Sequence, residues 1–271
     1  MNSVEAKKLA KQFLARIAPK ASSRWQETRH RNHIRRFEQR LGLPKLTNSF
    51  VEIHGRNVLT GPFAGMVYVT QAKGSALMPK LVGSYEAELH PLIEQIVSAD
   101  YDTVIDVGCA EGYYANGLAL RLPNAHVYAF DIDIDAQELC RGMSKLNGIE
   151  NRVSISGKCG TDEMNTLLTK SSLIVCDCEG FESELLRPDL ATNLKFADIL
   201  VEFHEHLSSG LTSLLLSRFR ETHHATIVTA VDRNADDYPQ IRLTEPESRQ
   251  LAVSEFRVNG QQWAFLKSIV S

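Results

Sequence analysis

The sequence has no long hydrophobic run. Its 271 residues contain no uninterrupted apolar stretch of the length needed to cross a bilayer, and the N-terminus lacks the apolar core of a signal peptide. We therefore expect a cytoplasmic protein that does not bind a membrane.

Cysteine is scarce, and its spacing suggests no pairing. The five cysteines are an odd number without a C-x-x-C pair, which argues against a disulfide framework and against a zinc knuckle. The sequence also lacks internal repeats and low-complexity tracts. A chain of this length can bury a sizeable core, so we expect one catalytic domain with an N-terminal extension.

Basic residues are concentrated at one end. Residues 1–48 contain 12 Lys and Arg against 3 Asp and Glu, although the net charge of the whole chain is −3. Trp25, Ile34, Phe37 and Leu41 are spaced as on a loosely amphipathic helix, which predicts a basic helical arm. We favour a solvated helix, packed on the acidic remainder or on a second copy in a homodimer, over a nucleic-acid arm, because no aromatic platform accompanies the arginines.

Residues 49–90 favour β-structure and form a candidate cap or lid. The segments 50–53 and 57–59 flank a short turn, which predicts a small hairpin. Glycine and proline in residues 60–66 predict a loop of the kind that often covers an active site. The catalytic domain is then expected over residues 91–271.

The most informative stretch is residues 102–112, where a buried strand runs into a glycine turn. Val104, Ile105 and Val107 are apolar and strand-forming. Gly108 and Gly112 permit close backbone approach, and residues 113–122 favour a helix. This arrangement is typical of a nucleotide-cofactor loop.

The details of the loop indicate which cofactor it binds. A second strand, 126–130, ends in Asp131, at the offset where Rossmann-type sites place the carboxylate that binds ribose hydroxyls. Ala110 replaces the middle glycine of a dinucleotide fingerprint, and Asp106 and Glu111 bracket the turn. Two carboxylates repel a pyrophosphate but suit a sulfonium and an ammonium group. The loop therefore resembles motif I of the class I methyltransferases that use S-adenosyl-L-methionine (SAM).

Three further motifs make the resemblance more specific. A third strand, 172–176, leads into Asp177-Cys178-Glu179-Gly180-Phe181-Glu182, and a strand at 197–201 leads into Glu202-Phe203-His204. Upstream, residues 83–89 read Gly-Ser-Tyr-Glu-Ala-Glu-Leu. In this order and spacing the motifs resemble the FkbM family of methyltransferases.

The resemblance implies a fold and an activity. The fold is α/β, a Rossmann-like class I methyltransferase fold whose seven-stranded, mostly parallel sheet has an antiparallel strand beside the fifth. The activity is SAM-dependent O-methylation of a hydroxyl on a small molecule, a sugar or a natural product. The implied cofactor-binding residues are Glu86, Asp106, Gly108, Cys109, Ala110, Gly112, Asp131, Ile132, Cys159, Gly160 and Asp177.

The strand ends also supply the candidate catalytic residues His204, Asp177, Glu179 and Glu202. We expect His204 to act as general base, because imidazole titrates near neutral pH and Glu202 or Glu179 could orient it. The alternative is a divalent metal ion held by Asp177, Glu179 and His204, which the resemblance itself does not imply.

Other functions remain open from the sequence. The chain could be an RNA or protein methyltransferase that uses the basic arm, or a catalytically silent SAM-binding partner. An NAD-dependent oxidoreductase is less favoured, because the tighter glycine fingerprint and a catalytic Tyr-Lys or His-Asp pair are not visible. The methyl acceptor cannot be identified from the sequence.

Overall fold

A computed structural model describes residues 39–243, 245–257 and 260–270. The chain divides into two compact units, Met1–Phe50 and Val51–Ser271. Most of the basic arm lies outside the described residues, so its helical character stays a prediction. Among the helices that are described, none is long and apolar enough to cross a membrane.

The first described helix, α1, is Leu43–His54. The predicted hairpin is therefore wrong, because residues 50–53 continue this helix, whose preceding turns outweigh their β-propensity. Asn57 makes an isolated antiparallel bridge to Val67. Residues 60–66 form a loop of turns, as predicted.

Seven strands form one sheet in the order β3-β2-β1-β4-β5-β7-β6. Strand β7 runs antiparallel to β5 and β6, and the other neighbouring pairs are parallel. This topology confirms the predicted Rossmann-like class I methyltransferase fold. The strands are β1 Thr103–Val107, β2 His126–Phe130, β3 Val153–Ser156, β4 Ser172–Cys176, β5 Asp198–Phe203, β6 His223–Thr229 and β7 Gln262–Ser268.

Helices connect the strands and flank the sheet. Besides α1, the α-helices are α2 Leu77–Val82, α3 His90–Ser98, α4 Tyr113–Arg121, α5 Ile134–Leu146, α6 Thr161–Leu167, α7 Glu182–Leu185, α8 Leu211–Phe219 and α9 Pro246–Val253. Short 3₁₀ turns occupy Ala87–Leu89, Thr192–Phe196 and Ala235–Asp237.

Burial explains why the central strands read as continuous apolar runs. Every residue of β1 and of β4 is buried, as expected for parallel strands covered on both faces. One core cluster combines Ile105, Ile174 and Ile199 of three neighbouring strands with Leu215 and Phe219 of α8. This packing fixes the relative positions of the strand ends.

The carboxyl ends of β1, β2 and β4 meet at one edge of the sheet. The backbone N–H of Asp177 donates to the carbonyl of Val107 (2.9 Å), and that of Gly108 donates to the carbonyl of Phe130 (2.8 Å). Strands β2 and β3 lie on one side of β1 and β4 lies on the other, and this reversal of strand order creates the crevice where α/β sheets bind ligands.

The segment predicted as a cap packs beside this edge. The side-chain amide of Asn147 bonds both the N–H and the carbonyl of Val67, at 2.8 Å each. The hydroxyl of Tyr68 donates to Glu111 (2.6 Å), which also accepts the backbone N–H of Lys73 (2.9 Å). These contacts anchor the segment, and its use as a lid stays a prediction.

Candidate functional site

The glycine turn after β1 requires glycine at Gly108. This residue has a φ of 86°, and a Cβ placed on it would lie 1.7 Å from the carbonyl oxygen of Asp177. Gly112 has a φ of 95°, and its Cβ would lie 2.6 Å from the Sγ of Cys140. Ala110 between them is also left-handed, with a φ of 48°. The turn thus lies directly against the end of β4, which leaves no room for larger side chains.

Asp106 is a buried carboxylate beside this turn. One oxygen accepts the backbone N–H of Ala115, while Oδ2 is buried without a hydrogen-bond partner among the described residues. Burial raises the pKa of Asp106 to about 8, and the charge of Asp177 adds to the effect. A cationic ligand group would relieve both the lost solvation and the repulsion.

Asp131, at the end of β2, organises the same turn. Its Oδ2 accepts the backbone N–H of Ala110 (2.9 Å), and its Oδ1 accepts that of Asp133 (2.8 Å). Burial raises the pKa of this carboxyl above its usual value, although both amide bonds oppose the shift. Ile132 next to it is 81% exposed, which leaves an apolar side chain at the crevice without a covering group.

Glu111 does not face the crevice as its place in the motif suggested. It is fully buried and forms an ion pair with Lys80, besides its bonds from Tyr68 and Lys73. The expectation that it serves the cations of the cofactor is therefore wrong, because a buried lysine thirty-one residues earlier already neutralises it.

The remaining predicted cofactor residues lie on the loops after the strands. Cys109 is buried in the glycine turn, and Cys159 is buried after β3. Gly160 precedes α6, and nothing lies within 4 Å of a Cβ placed on it. All five cysteines are free thiols.

His204 follows β5 and is held by a residue that the sequence reasoning did not select. Its Nδ1 lies 2.7 Å from Oε1 of Glu182. The same oxygen accepts the backbone N–H groups of Cys178 and Gly180, at 3.2 Å each. Since a carboxylate only accepts, Nδ1 carries the proton and Nε2 presents its lone pair when the ring is neutral. Glu182 belongs to the predicted motif at residues 177–182, but the histidine that it bonds is 22 residues further along the chain.

Nε2 of His204 is directed toward two more carboxylates. It lies 3.4 Å from Oδ1 of Asp177 and 3.6 Å from Oε2 of Glu179. The His204 side chain is 5% exposed and that of Glu179 is 73% exposed. Burial alone would lower the pKa of His204, but the hydrogen bond to Glu182 and the nearby negative charges raise it. We call Asp177, Glu179 and His204 the strand-end cluster. Each offers one potential ligand atom, and these atoms all lie within 4.8 Å of one another.

Glu202 has a different partner from the one expected. It accepts a bond from Nη1 of Arg257 (2.9 Å) and shares a hydrogen bond with Asp177. Burial, together with the charge of Asp177, raises the pKa of Glu202 to about 10. The prediction that Glu202 or Glu179 orients His204 is wrong, because Glu182 occupies Nδ1 and Arg257 holds Glu202.

Glu86 is brought to the crevice but is already bonded on both oxygens. It has a left-handed φ of 49°, and its oxygens accept bonds from Tyr114 and Arg257. It lines a small cavity together with Asp177 and Glu202. Neither Tyr114 nor Arg257 carries a motif signal, since each lies far from Glu86 in the sequence.

Comparison with known proteins agrees with this architecture. The family model described as "Methyltransferase domain" matches residues 98–179, which include the glycine turn, Asp131 and Asp177. The release factor glutamine methyltransferase of Chlorobaculum tepidum is 41% identical over 56 residues, 21% of this chain and 19% of that protein. The chain thus spans about a fifth of the length of this curated relative.

Several solved structures are similar in fold at low identity. The O-methyltransferase of Bacillus cereus in complex with SAH is 14% identical, with a TM-score of 0.45, over 69% of this chain and 82% of that one. The O-methyltransferase TomG of Streptomyces achromogenes in complex with SAM is 14% identical, with a TM-score of 0.42, over 66% and 80%.

The matched segment and the strand order agree with one class of enzyme. Residues 98–179 match a methyltransferase-domain model and lie on a Rossmann-like sheet, in agreement with the class predicted from the sequence, the SAM-dependent methyltransferases.

Proposed function

We propose that this protein transfers the methyl group of SAM to a hydroxyl of a small molecule, a sugar or a natural product, as the FkbM resemblance implies. One observation carries the cofactor assignment. The buried Oδ2 of Asp106 has no hydrogen-bond partner among the described residues and lies beside a left-handed glycine turn that admits close backbone approach. A cationic amino acid group fits this place better than a pyrophosphate does.

Different residues at the strand ends would bind different parts of the cofactor. Asp106 and the backbone at Gly108 serve the methionine end, and Asp131 serves the ribose hydroxyls with lone pairs left over from its two amide bonds. Ile132, which is exposed next to Asp131, and Cys159 and Gly160 after β3 are the residues that would hold the adenine. When bound, SAM supplies a methyl group on a sulfonium, which is already an activated donor.

In this proposal the acceptor hydroxyl binds next to the strand-end cluster of Asp177, Glu179 and His204. A hydroxyl must lose its proton as the new carbon–oxygen bond forms and the carbon–sulfur bond breaks. Glu182 fixes Nδ1 of His204, so that Nε2 faces the acceptor and takes the proton as a general base when nothing else occupies the cluster. Glu202 stays neutral beside Asp177, which limits the negative charge of the crevice.

Binding of SAM, S-adenosylhomocysteine and NAD to the purified chain tests the proposal. A panel of hydroxylated acceptors with radiolabelled SAM then tests the acceptor class. Transfer to hydroxyl compounds supports O-methylation, whereas transfer only to amide or amine acceptors would overturn it.

The alternative of an RNA or protein methyltransferase depends on the basic arm, of which residues 1–38 lie outside the described part. Removal of residues 1–45 is expected to leave SAM binding intact. A steeply salt-dependent RNA affinity that the truncation removes would favour the nucleic-acid alternative instead.

A further inference from the structure

When the ring of His204 is neutral, the strand-end cluster places three acceptor atoms together with no donor between them. With Nδ1–H donated to Glu182, the neutral ring of His204 turns a lone pair toward the carboxylates of Asp177 and Glu179. Among the described residues, no hydrogen bond reaches this Nε2, although the side chain is 95% buried. Three lone pairs facing one point repel each other unless a cation lies between them.

The distances within the cluster fit a shared cation better than hydrogen bonds. Nε2 lies 3.4 Å from the Asp177 oxygen and 3.6 Å from the Glu179 oxygen, both longer than an ordinary N–H···O bond of about 2.7–3.2 Å. Ligand atoms at about 2.1 Å from one ion are about 3.0 to 3.4 Å apart at octahedral or tetrahedral angles. Small side-chain rotations would therefore bring the three ligand atoms, now within 4.8 Å of one another, to one ion.

A buried carboxylate behind the imidazole is a typical feature of histidines that bind metal ions. Glu182 is fully buried and holds the ring from the side opposite to the cluster, which sets the tautomer that exposes the Nε2 lone pair. Its position is itself fixed by the backbone N–H groups of Cys178 and Gly180. The cluster is thus a supported site and differs from a patch of surface acids.

We propose that Asp177, Glu179 and His204 bind one divalent transition-metal cation of the Mn²⁺ type. This inference rests on the proposed function for its role: a cation here would hold the acceptor oxygen and favour loss of the hydroxyl proton to solvent, with His204 as a ligand in place of a base. Imidazole and carboxylate together suit such a cation better than Mg²⁺ or Ca²⁺, which prefer oxygen ligands alone.

Electron paramagnetic resonance of Mn²⁺ titrated into the full chain tests the site without an acceptor. We expect one saturable site per chain, with Glu179→Gln and His204→Gln each weakening it at least about tenfold. Glu182→Gln, which leaves all three ligands in place, is expected to weaken it about 10- to 100-fold. His206→Gln is the matched control, because this exposed histidine lies beside His204 and outside the cluster.

Calorimetry with SAM on the same samples separates this inference from the proposed function. Intact SAM binding in Glu179→Gln with lost Mn²⁺ binding supports the cation site, and Glu179 is exposed enough for the fold to tolerate the change. Absence of saturable Mn²⁺ binding in a parent protein that binds SAM would overturn the cation site alone. Equal Mn²⁺ affinity in the parent and in the Glu179 and His204 variants would also overturn it.

Discussion

Nδ1 of His204 lies 2.7 Å from Oε1 of Glu182, and both side chains are buried. The histidine directly follows strand β5, and the glutamate is the first residue of α7. The bond fixes which ring nitrogen faces the crevice. Any chemistry at His204, as a base or as a ligand, therefore depends on a residue that does not itself face the acceptor.

Replacing Glu182 with Gln tests this dependence. The amide can still accept from Nδ1 but no longer stabilises the tautomer with a charge, so we expect methyl transfer to fall about 10- to 100-fold. SAM affinity should stay within about twofold, because Glu182 does not reach the glycine turn. Kinetics on an identified acceptor, together with calorimetry, measures both. Glu184→Gln, an exposed neighbour in α7, should behave as the parent; full activity in Glu182→Gln would refute the positioning role.

The Gly108 to Ala substitution tests the fit of the turn against β4. The added Cβ would meet the Asp177 carbonyl at 1.7 Å in a left-handed conformation, so either the turn or the end of β4 must move. We expect loss of SAM binding and a destabilisation of several kcal/mol, on the order of other strained backbone substitutions. Thermal unfolding measures it. Gly142→Ala is the control, because this position in α5 has open space and alanine favours the helix.

Proton release should accompany SAM binding through Asp106. The pKa of this buried carboxyl is raised from 3.8 to about 8, so the unliganded protein keeps the proton at pH 7. The raised pKa of Asp106 stabilises the folded state fully below pH 3.8, where the carboxyl is protonated in both states. This stabilisation is lost as the pH rises through about 8, because the unfolded state ionises at a lower pH than the folded state. A bound cation favours the ionised form. Calorimetry at pH 7 in phosphate and in Tris should give different enthalpies, and Asp106→Asn should remove the difference; identical enthalpies for the parent would contradict this.

Arg257 should contribute strongly to the folding stability of the protein. Its guanidinium bonds Glu86, Glu202 and Glu255 at once. Replacement by Gln leaves the buried Glu86 without a counter-charge, which costs about 3–5 kcal/mol, while Glu255 keeps its ion pair with Arg233. Urea unfolding checks this value. Arg220→Gln, which breaks an exposed pair with Glu221, should change stability by less than about 1 kcal/mol; an equally small loss in Arg257→Gln would show that the network is not stabilising.

The sheet and the general place of the site could be predicted because they follow from local patterns. Continuous apolar runs predict buried parallel strands, and the residues after them meet at one edge, which is why Asp177 and His204 were expected together. The antiparallel order of β7 came from the family resemblance. Residues 50–53 misled the prediction because β-propensity over four residues does not reveal the helix that begins at Leu43.

The partners of the site residues depend on contacts that no local pattern encodes. Arg257 lies 171 residues from Glu86, and Lys80 lies 31 residues from Glu111. The pairing of Glu182 with His204 depends on the angle at which the chain leaves β4. A sequence motif shows that these residues are present. The packing of the loops determines which carboxylate lies beside each arginine, lysine or histidine.

Calorimetric titration of the full chain with SAM and with NAD tests the central claim, that the turn after β1 with Asp106 and Asp131 binds SAM. We predict micromolar affinity for SAM and for S-adenosylhomocysteine and much weaker binding of NAD. Asp131→Ala should weaken SAM by about 1 to 3 kcal/mol, the scale of a lost charge-assisted hydrogen bond, whereas Glu138→Ala, exposed on α5, should not. Tight NAD binding with no response to SAM would contradict the account.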